Sequence, residues 1–370
     1  MTRHKHEVLH ATSAHVASDI RIFWKECRAL EEAGLDVALI APTSGDMPDT
    51  RVPVYALPAT GNRAFRALTG SVGILRHLLA ARPKVLHIHD PELIPLAIAV
   101  KYVLRVSFIY DAHEDLPEQV TAKPYLTPIR RRIATLVAKA LVYLADRHAD
   151  VVVAATPAIA RTFSSKSTIL VQNFPWFREY ETTKPFPSLI ERPTFCYVGS
   201  ITDIRGAMEM AKGGAQAQSH PTIALAGIAS PTSLIADMSS TGADIDYLGR
   251  IAPAYVPDVI AESLGGLILA HPLKHYVVGQ PTKLFEYMAS GRPFIASNFM
   301  MWREMLEEHQ CGLFVDPFDT RAVAAAMDQL ARDPDEARRM GERGRSLARE
   351  QYSFENEAAT LVDATRRVIS

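Results

Sequence analysis

Residues 174–193 read FPWFREYETTKPFPSLIERP, and the reading of this stretch decides how many folding units the chain contains. It holds four prolines and several charges, with no sustained helical or strand period, which is the signature of a linker. Before it, short apolar runs alternate with longer amphipathic segments: EVLHA, DIRIFWKECRALEEAG, DVALIAP, VPVYALP, KVLHIHD, ELIPLAIAVKYVLR and SFIYDAHE. The long helix TPIRRRIATLVAKALVYLADRHA, the strand VVVAAT, a short helix from Pro157 and the strand STILVQN complete that half. After it the alternation restarts with TFCYVGS, a helix through AMEMAKGGAQAQ, TIALAGI, a helix near 231–239, DIDYLGR, a helix near 253–263 and GLILAHP. PFIAS and LFVDP are the last strands, and 320–330, 335–349 and 354–369 read as closing helices. Such alternation predicts βαβ units and parallel sheets.

The expected fold class is therefore α/β, with two Rossmann-like doubly wound domains facing a cleft. The boundaries are 1–172 for the first domain, 173–192 for the linker and 193–353 for the second, with the last helix, about 354–370, free to pack back onto the first. Ligands of such sheets bind outside the carboxyl ends of the strands, so functional residues are expected there.

Composition agrees with an ordinary globular protein. The chain has 370 residues, 48% hydrophobic and 22% charged, which suits two domains of average size. Forty basic against forty-one acidic side chains leave a formal net charge of -1, arguing against a protein built to coat nucleic acid. Cys27, Cys196 and Cys311 are widely separated, without the paired spacing of a zinc or redox motif, and fit a reducing compartment. The opening MTRHKHEVLHA runs straight into a strand, and no stretch approaches bilayer-spanning length. A cytoplasmic protein is expected, with membrane contact only at its surface.

Four constellations carry chemistry. In QPTKLFEYMASGRPFIASN, residues 280–298, a helix starting near Pro281 puts Lys283 and Glu286 on one face, with Leu284, Phe285 and Met288 toward the core and Gly291 ending it. A helix amino terminus beside a lysine suits a phosphate, and a carboxylate one turn on can accept from paired sugar hydroxyls. A solvated helical ion pair explains the same spacing. In YVGSITDIRGAMEM, residues 197–210, Gly199 and Ser200 leave a strand and Arg205 precedes a helix, a strand–turn–helix cradle for a diphosphate. The glycine triplet of a dinucleotide fingerprint is missing, so no nicotinamide or flavin cofactor is expected; Arg205 could equally cap the turn.

The amino-terminal half carries LHIHDPE at 86–92 and IYDAHEDLPE at 109–118. His89 with Asp90, and His113 with Asp111 or Glu114, stand at successive strand ends, and the loop HATSAHVASDIRIF adds His15 and Asp19 to the same rim. His87 reads as a hydrogen-bonded residue closing its strand. Alternate strand positions face opposite ways and no helical histidine pair is present, so no metal is expected. Finally, Ile129, Ile133, Leu136, Val137, Ala140 and Leu144 of PIRRRIATLVAKALVYLA follow helical spacing, with Arg130, Arg131, Arg132 and Lys139 around the turn. A core-facing stripe with a solvated basic face is the ordinary reading; contact of residues 129–144 with an anionic membrane surface is the alternative.

Taken together, these segments resemble family 4 of the retaining glycosyltransferases, of the two-domain GT-B fold. PTKLFEYMASGRPFIAS looks like that family's donor-site helix and following strand, and YVGSITDIRG like the start of its carboxyl-terminal domain. LHIHDPE, YDAHEDLPE and HVASDIRIFWKECRALEEAGLDVALIAP are similar to amino-terminal domains of members that build bacterial surface polysaccharides. The resemblance implies a nucleotide diphosphate sugar as donor, a glycan hydroxyl as acceptor, lipid-linked at the inner membrane face, and neither metal nor cofactor. Arg205 and Lys283 would bind the diphosphate and offset its developing charge. Glu286 would take the ribose hydroxyls, with Thr282 and Leu284 beside it in the donor site. Gly249 and Arg250 would lie near the base, and His113 would face the transferred sugar. His15, Asp19, His89, Asp90 and Glu114 would form the acceptor rim. Two departures stand out: the family's second glutamate, eight positions before Glu286, is Val278, and the glycine-rich loop after the first strand is replaced by TSAHVASD. A nucleotide-sugar epimerase, or a catalytically weak nucleotide-sugar-binding protein, are the alternatives.

Overall fold

The computed structural model describes residues 6–43, 51–57, 63–121, 127–164, 167–181, 184–187 and 192–370. The chain divides into two units: residues 1–173 with 354–370, and residues 174–353.

Runs such as VVVA and VALIAP have no polar alternation because both faces of their strands are covered, as parallel sheets require. In unit 1 the strands are β1 Val8–Ala11, β2 Val37–Pro42, β3 Val54–Leu57, β4 Val85–Ile88, β5 Ser107–Ala112, β6 Val151–Ala154 and β7 Thr168–Leu170. They form one parallel sheet in the order β3-β2-β1-β4-β5-β6-β7. The helices are α1 Arg28–Glu32, α2 Arg63–Ala81, α3 Ile94–Leu104, α4 Leu116–Thr121, α5 Pro128–His148 and α6 Pro157–Ala160. The segment DIRIFWKECRALEEAG begins as a π-helix, Ile20–Cys27, before tightening into α1. Its wider turn places Arg21, Lys25 and Glu26 in the interior.

Unit 2 contains β8 Thr194–Val198, β9 Thr222–Ala226, β10 Asp244–Gly249, β11 Gly265–Ile268, β12 Phe294–Ser297 and β13 Gly312–Val315, parallel in the order β10-β9-β8-β11-β12-β13. Its helices are α7 Ala207–Gln216, α8 Leu234–Ser239, α9 Val256–Ala261, α10 Lys274–Val277, α11 Thr282–Ala289, α12 Met300–Leu306, α13 Thr320–Arg332 and α14 Pro334–Gln351. The last helix, α15 Phe354–Ile369, packs in unit 1 against α1, the π-helical segment, β4, β6 and β7. Two parallel Rossmann-like sheets with helices are the fold expected from the sequence.

Two expectations change. The stretch read as a linker is not idle where it is described: Phe174, Phe177 and Tyr180 are buried in the core of unit 2. Most of the apolar stripe of α5 does not face the core. Ile129, Ile133, Leu136, Val137 and Ala140 are exposed, while Leu144 packs against the core of unit 1 beside Leu141 and Val142; the buried positions are the small Ala138 and Ala145, which let the helix approach its neighbours by its other face. Among the described residues no helix is long and apolar enough to cross a membrane.

Candidate functional site

In unit 1 the sheet order turns between β1 and β4, so the loops after these strands, 12–19 and 89–93, flank the switch point where open α/β sheets bind ligands. Asp90 is buried there. Its Oδ2 accepts from Thr12 Oγ1 at 2.9 Å and the Ser13 backbone N–H at 2.5 Å, while Oδ1 lies 3.7 Å from His15 Nε2. Asp19 caps the π-helical segment by accepting from the N–H groups of Arg21 and Ile22, and its Oδ2 lies 3.5 Å from His15 Nδ1. The Asp19 hydrogen bond, with the nearby Asp90, raises His15 above the usual histidine range. Burial opposes ionisation of Asp19, yet His15 and the Ile22 N–H hold it down to about 2.

At the end of β5, Asp111 is fully buried and accepts from Arg21 Nε at 3.0 Å and Nη2 at 2.7 Å. His89 Nδ1 stands 3.1 Å and His113 Nε2 2.5 Å from Asp111 Oδ2. Against the cost of burial, Arg21 and then His113 hold this carboxyl well below the usual range. A cavity of about 280 Å3 opens beside the group, with His15, His89, Asp90, Glu92, His113 and Glu114 in its wall. All of the expected rim residues except Asp19 line it, and Glu92 joins them.

Behind this wall the structure corrects the sequence reading of the histidines. His87 and His89 are two positions apart and so share a face of β4 with His10, its neighbour on β1. His87 does not close its strand by hydrogen bonding: neither ring nitrogen has a hydrogen-bond partner among the described residues, and Nε2 stands 3.6 Å from Glu26 Oε2. Instead His10, His87, His89 and Glu26 form one buried cluster of metal-ligand types. The rings of His87 and His89 stack at 17° and those of His10 and His89 at 16°, and His10 Nδ1 lies 2.9 Å from His89 Nε2, a hydrogen bond between the two imidazoles. Arg21 Nε stands 3.1 Å from Glu26 Oε1. Burial lowers all three histidines, and burial together with Asp111 raises Glu26, against the pull of Arg21.

In unit 2 the order turns between β8 and β11. Gly199 follows β8 at φ 134°, and a Cβ there would stand 2.4 Å from Lys283 Cε, so the glycine is what admits the lysine beneath the turn. Gly227, at the end of β9, has φ 151° and approaches Gly199 so closely that a Cβ would stand 1.8 Å from the Gly199 carbonyl oxygen. Lys283, one residue inside α11, has its Nζ 5.9 Å from the Tyr197 ring centroid. Burial first, and then Arg205, hold its ammonium below the usual lysine range, against the pull of Glu286. Arg205 donates from Nε to Tyr276 Oη at 3.1 Å and from Nη1 to the Ser200 carbonyl at 3.4 Å. Neither cation forms an ion pair among the described residues.

Glu286 has Tyr180 beside it, whose hydroxyl is pushed up by burial and then by this carboxylate. Sequence reasoning missed Tyr180, Gly227 and Tyr276; the spacing of Phe174, Phe177 and Tyr180 was the available signal for the first. Gly249 ends β10 at φ 65° and its carbonyl accepts from the Gly227 N–H at 2.7 Å, while Arg250 is exposed. Thr282 is half-buried at the first turn of α11. Leu284 does not line the site: its side chain fills the core of unit 2 and its N–H donates to the Pro281 carbonyl. Val278 is exposed just past α10, with no carboxylate in its place.

Residues 21–167 match the family model of the glycosyl transferase 4-like domain, and residues 192–333 that of the glycosyl transferases group 1. Over 188 residues the chain is 27% identical to the α-D-kanosaminyltransferase of Streptomyces kanamyceticus, covering 49% of this chain and 47% of that protein. The chain spans about half the length, or less, of the curated relatives it matches. Among solved structures it resembles sucrose-phosphate synthase from Thermosynechococcus elongatus (TM-score 0.75, 18% identity, 98% of each chain). It also resembles HepE of Anabaena in complex with UDP and glucose (TM-score 0.72, 13% identity, 98% and 100% of the two chains). At these identities the structural likeness establishes the GT-B fold.

Proposed function

Because this chain belongs to the glycosyltransferases, with the GT-B fold of family 4, we propose that it moves a sugar from a nucleotide diphosphate sugar to a hydroxyl of a glycan acceptor. The observation that carries this reading is Lys283, a largely buried ammonium at the switch point of unit 2, beside Arg205 and without an ion pair among the described residues. Two cations and the amino terminus of α11 suit a diphosphate, whose charge grows as the sugar leaves. Glu286, one turn further on, accepts from the ribose hydroxyls, and backbone groups about Gly249 lie near the base. The HepE neighbour was solved with UDP and glucose, which supports a donor of this class.

His113 is the group of unit 1 that we assign to the transferred sugar, held from behind by Asp111. The reaction is assigned retention of configuration. The acceptor is assigned as lipid-linked, in surface polysaccharide or glycolipid synthesis, with the exposed stripe of α5 lying on an anionic bilayer. Arg130, Arg132 and Lys139 flank that stripe and match the charge of such a surface.

The test is a thermal shift and hydrolysis screen against uridine, guanosine, thymidine and adenosine diphosphate sugars. A donor that binds only the folded state raises Tm; if none does and none is hydrolysed, the reading falls. Lys283→Ala should lower kcat/KM about 100- to 1000-fold, the scale of one lost transition-state contact. Product NMR with the matched donor reads the anomeric configuration.

A further inference from the structure

The cavity of unit 1 carries more carboxylates than cations: His15, between Asp19 and Asp90, is the described wall imidazole that its neighbours favour in the charged form. Its described wall contains the carboxylates of Asp90, Glu92 and Glu114 and the imidazoles of His15, His89 and His113, and no lysine or arginine. Arg21, which holds Asp111 behind this wall, is already committed to Asp111, Glu26 and the Val171 carbonyl. Part of the carboxylate capacity is also committed. Asp90 Oδ2 takes four donors from the 12–14 loop, Glu92 Oε1 is 3.3 Å from Ser13 Oγ, and Glu114 meets the Gln119 amide. Asp90 Oδ1 faces His15 Nε2 at 3.7 Å, and the second carboxylate oxygens of Glu92 and Glu114 remain as acceptors. This is the reverse of unit 2, where Arg205 and Lys283 await an anion.

We propose that this cavity, where the sequence places the acceptor rim, selects by charge, taking a neutral or amine-bearing sugar ring and rejecting rings that carry phosphate, sulfate or carboxylate. The assignment rests on the reading of the protein as a glycosyltransferase. The volume, about 280 Å3, is below that of sites for drug-sized ligands and suits a single sugar residue. Carboxylates that only accept hydrogen bonds are matched by hydroxyl and ammonium donors. An anionic ring would meet several like charges a few ångströms away in a partly desolvated pocket, which weakens its binding by about tenfold or more.

The experiment uses the full chain and four probes: methyl glucoside, methyl 2-amino-2-deoxyglucoside, methyl glucuronide and glucose 6-phosphate. Binding is followed by calorimetry at low and high salt. The neutral and amine probes should bind about tenfold or more tighter than the two anions, and the amine's advantage should shrink as salt screens the carboxylates. Glu114 is exposed, so replacing it leaves the fold intact. Glu114→Gln should erode the preference for the amine, and Glu114→Lys should reverse the ranking toward glucose 6-phosphate. Anions that bind as tightly as the neutral ring, no binding by any probe up to its solubility limit, or rankings unmoved by Glu114→Lys would each overturn the proposal. Nucleotide-sugar binding and hydrolysis, measured without acceptor, report separately on the transferase reading, so either can fail alone.

Discussion

Lys283 illustrates how a functional residue can cost stability. Its folded pKa is lowered chiefly by burial, so the unfolded chain binds its proton more tightly than the folded one. Stability of unit 2 should therefore rise with pH through the lowered folded value of Lys283, up to the ordinary lysine value. Affinity for a nucleoside diphosphate should fall over the same range, as the ammonium is lost. Lys283→Met removes the buried charge and keeps the stem; it should raise the Tm of unliganded protein while abolishing donor binding. A lower Tm for this variant would mean the lysine is structural. His15 and Asp19 supply an opposite case. His15 is raised in the fold, so its contribution is complete below the unfolded histidine pKa and is lost as pH rises through the folded value. Asp19, lowered to about 2, contributes fully above its unfolded pKa and loses its contribution as pH falls through about 2. Asp19→Asn retains an N-cap but removes the charge, so the His15 ring protons should titrate at lower pH in NMR; an unchanged midpoint would refute the coupling. Of these residues, spacing alone revealed a lysine and a glutamate one turn apart. The diphosphate role came from resemblance. The burial of Asp111 with Arg21, and of Glu26 with three histidines, depends on a π-helical turn that periodicity does not encode.

At the scale of elements, the strands were the most legible part of the chain, because both faces of an inner parallel strand are covered and its sequence is a continuous apolar run, the edge strand β10, DIDYLG, being the polar exception. Helix α2 went unread, since its glycines and threonine interrupt the apolar spacing, and so did the short α10 and α12. Helix α5 shows a different limit. Its period was read correctly, but a period states only that apolar residues share a face, and says nothing of what covers that face. Alanines at 138 and 145 were the sign that its other side makes the close approach. If the exposed stripe lies on an anionic bilayer, Leu136→Glu should lower partitioning into phosphatidylglycerol vesicles about tenfold or more, given 1.5–3 kcal/mol for burying one large aliphatic side chain. Because Leu136 is exposed, Tm should hardly change. Vesicle binding unchanged by Leu136→Glu, with binding lost in Arg132→Ala, would leave only a charge effect and remove the apolar stripe from the account.

The organisation of the whole chain follows from where α15 goes. Two doubly wound halves were legible because the βαβ alternation stops near residue 174 and restarts near 194, and no periodic signal marks which half a final helix will join. The answer lies in its apolar face. Phe354 and Leu361 are fully buried and Val362 nearly so, with Lys25 Nζ 5.6 Å from the Phe354 ring centroid. Glu357 accepts from the Gln172 N–H at 2.7 Å and Arg366 Nη2 donates to the Ala33 carbonyl at 2.8 Å. All of these partners belong to unit 1. Burying three large apolar side chains is worth roughly 5–9 kcal/mol before entropy is counted, comparable to the 5–15 kcal/mol net stability of a typical domain. Unit 1 should therefore depend on the last residues of the chain, although some 180 residues of unit 2 intervene. Leu361→Ala should destabilise it by about 2–5 kcal/mol. The three tryptophans make this measurable, since Trp24 lies in unit 1 and Trp176 and Trp302 in unit 2. In urea, variants retaining Trp24 alone should show an earlier transition after Leu361→Ala, whereas those retaining Trp302 alone should unfold at the midpoint of the parent. If the Trp302 transition moved as far as that of Trp24, α15 would be supporting both units, and its assignment to unit 1 alone would fail.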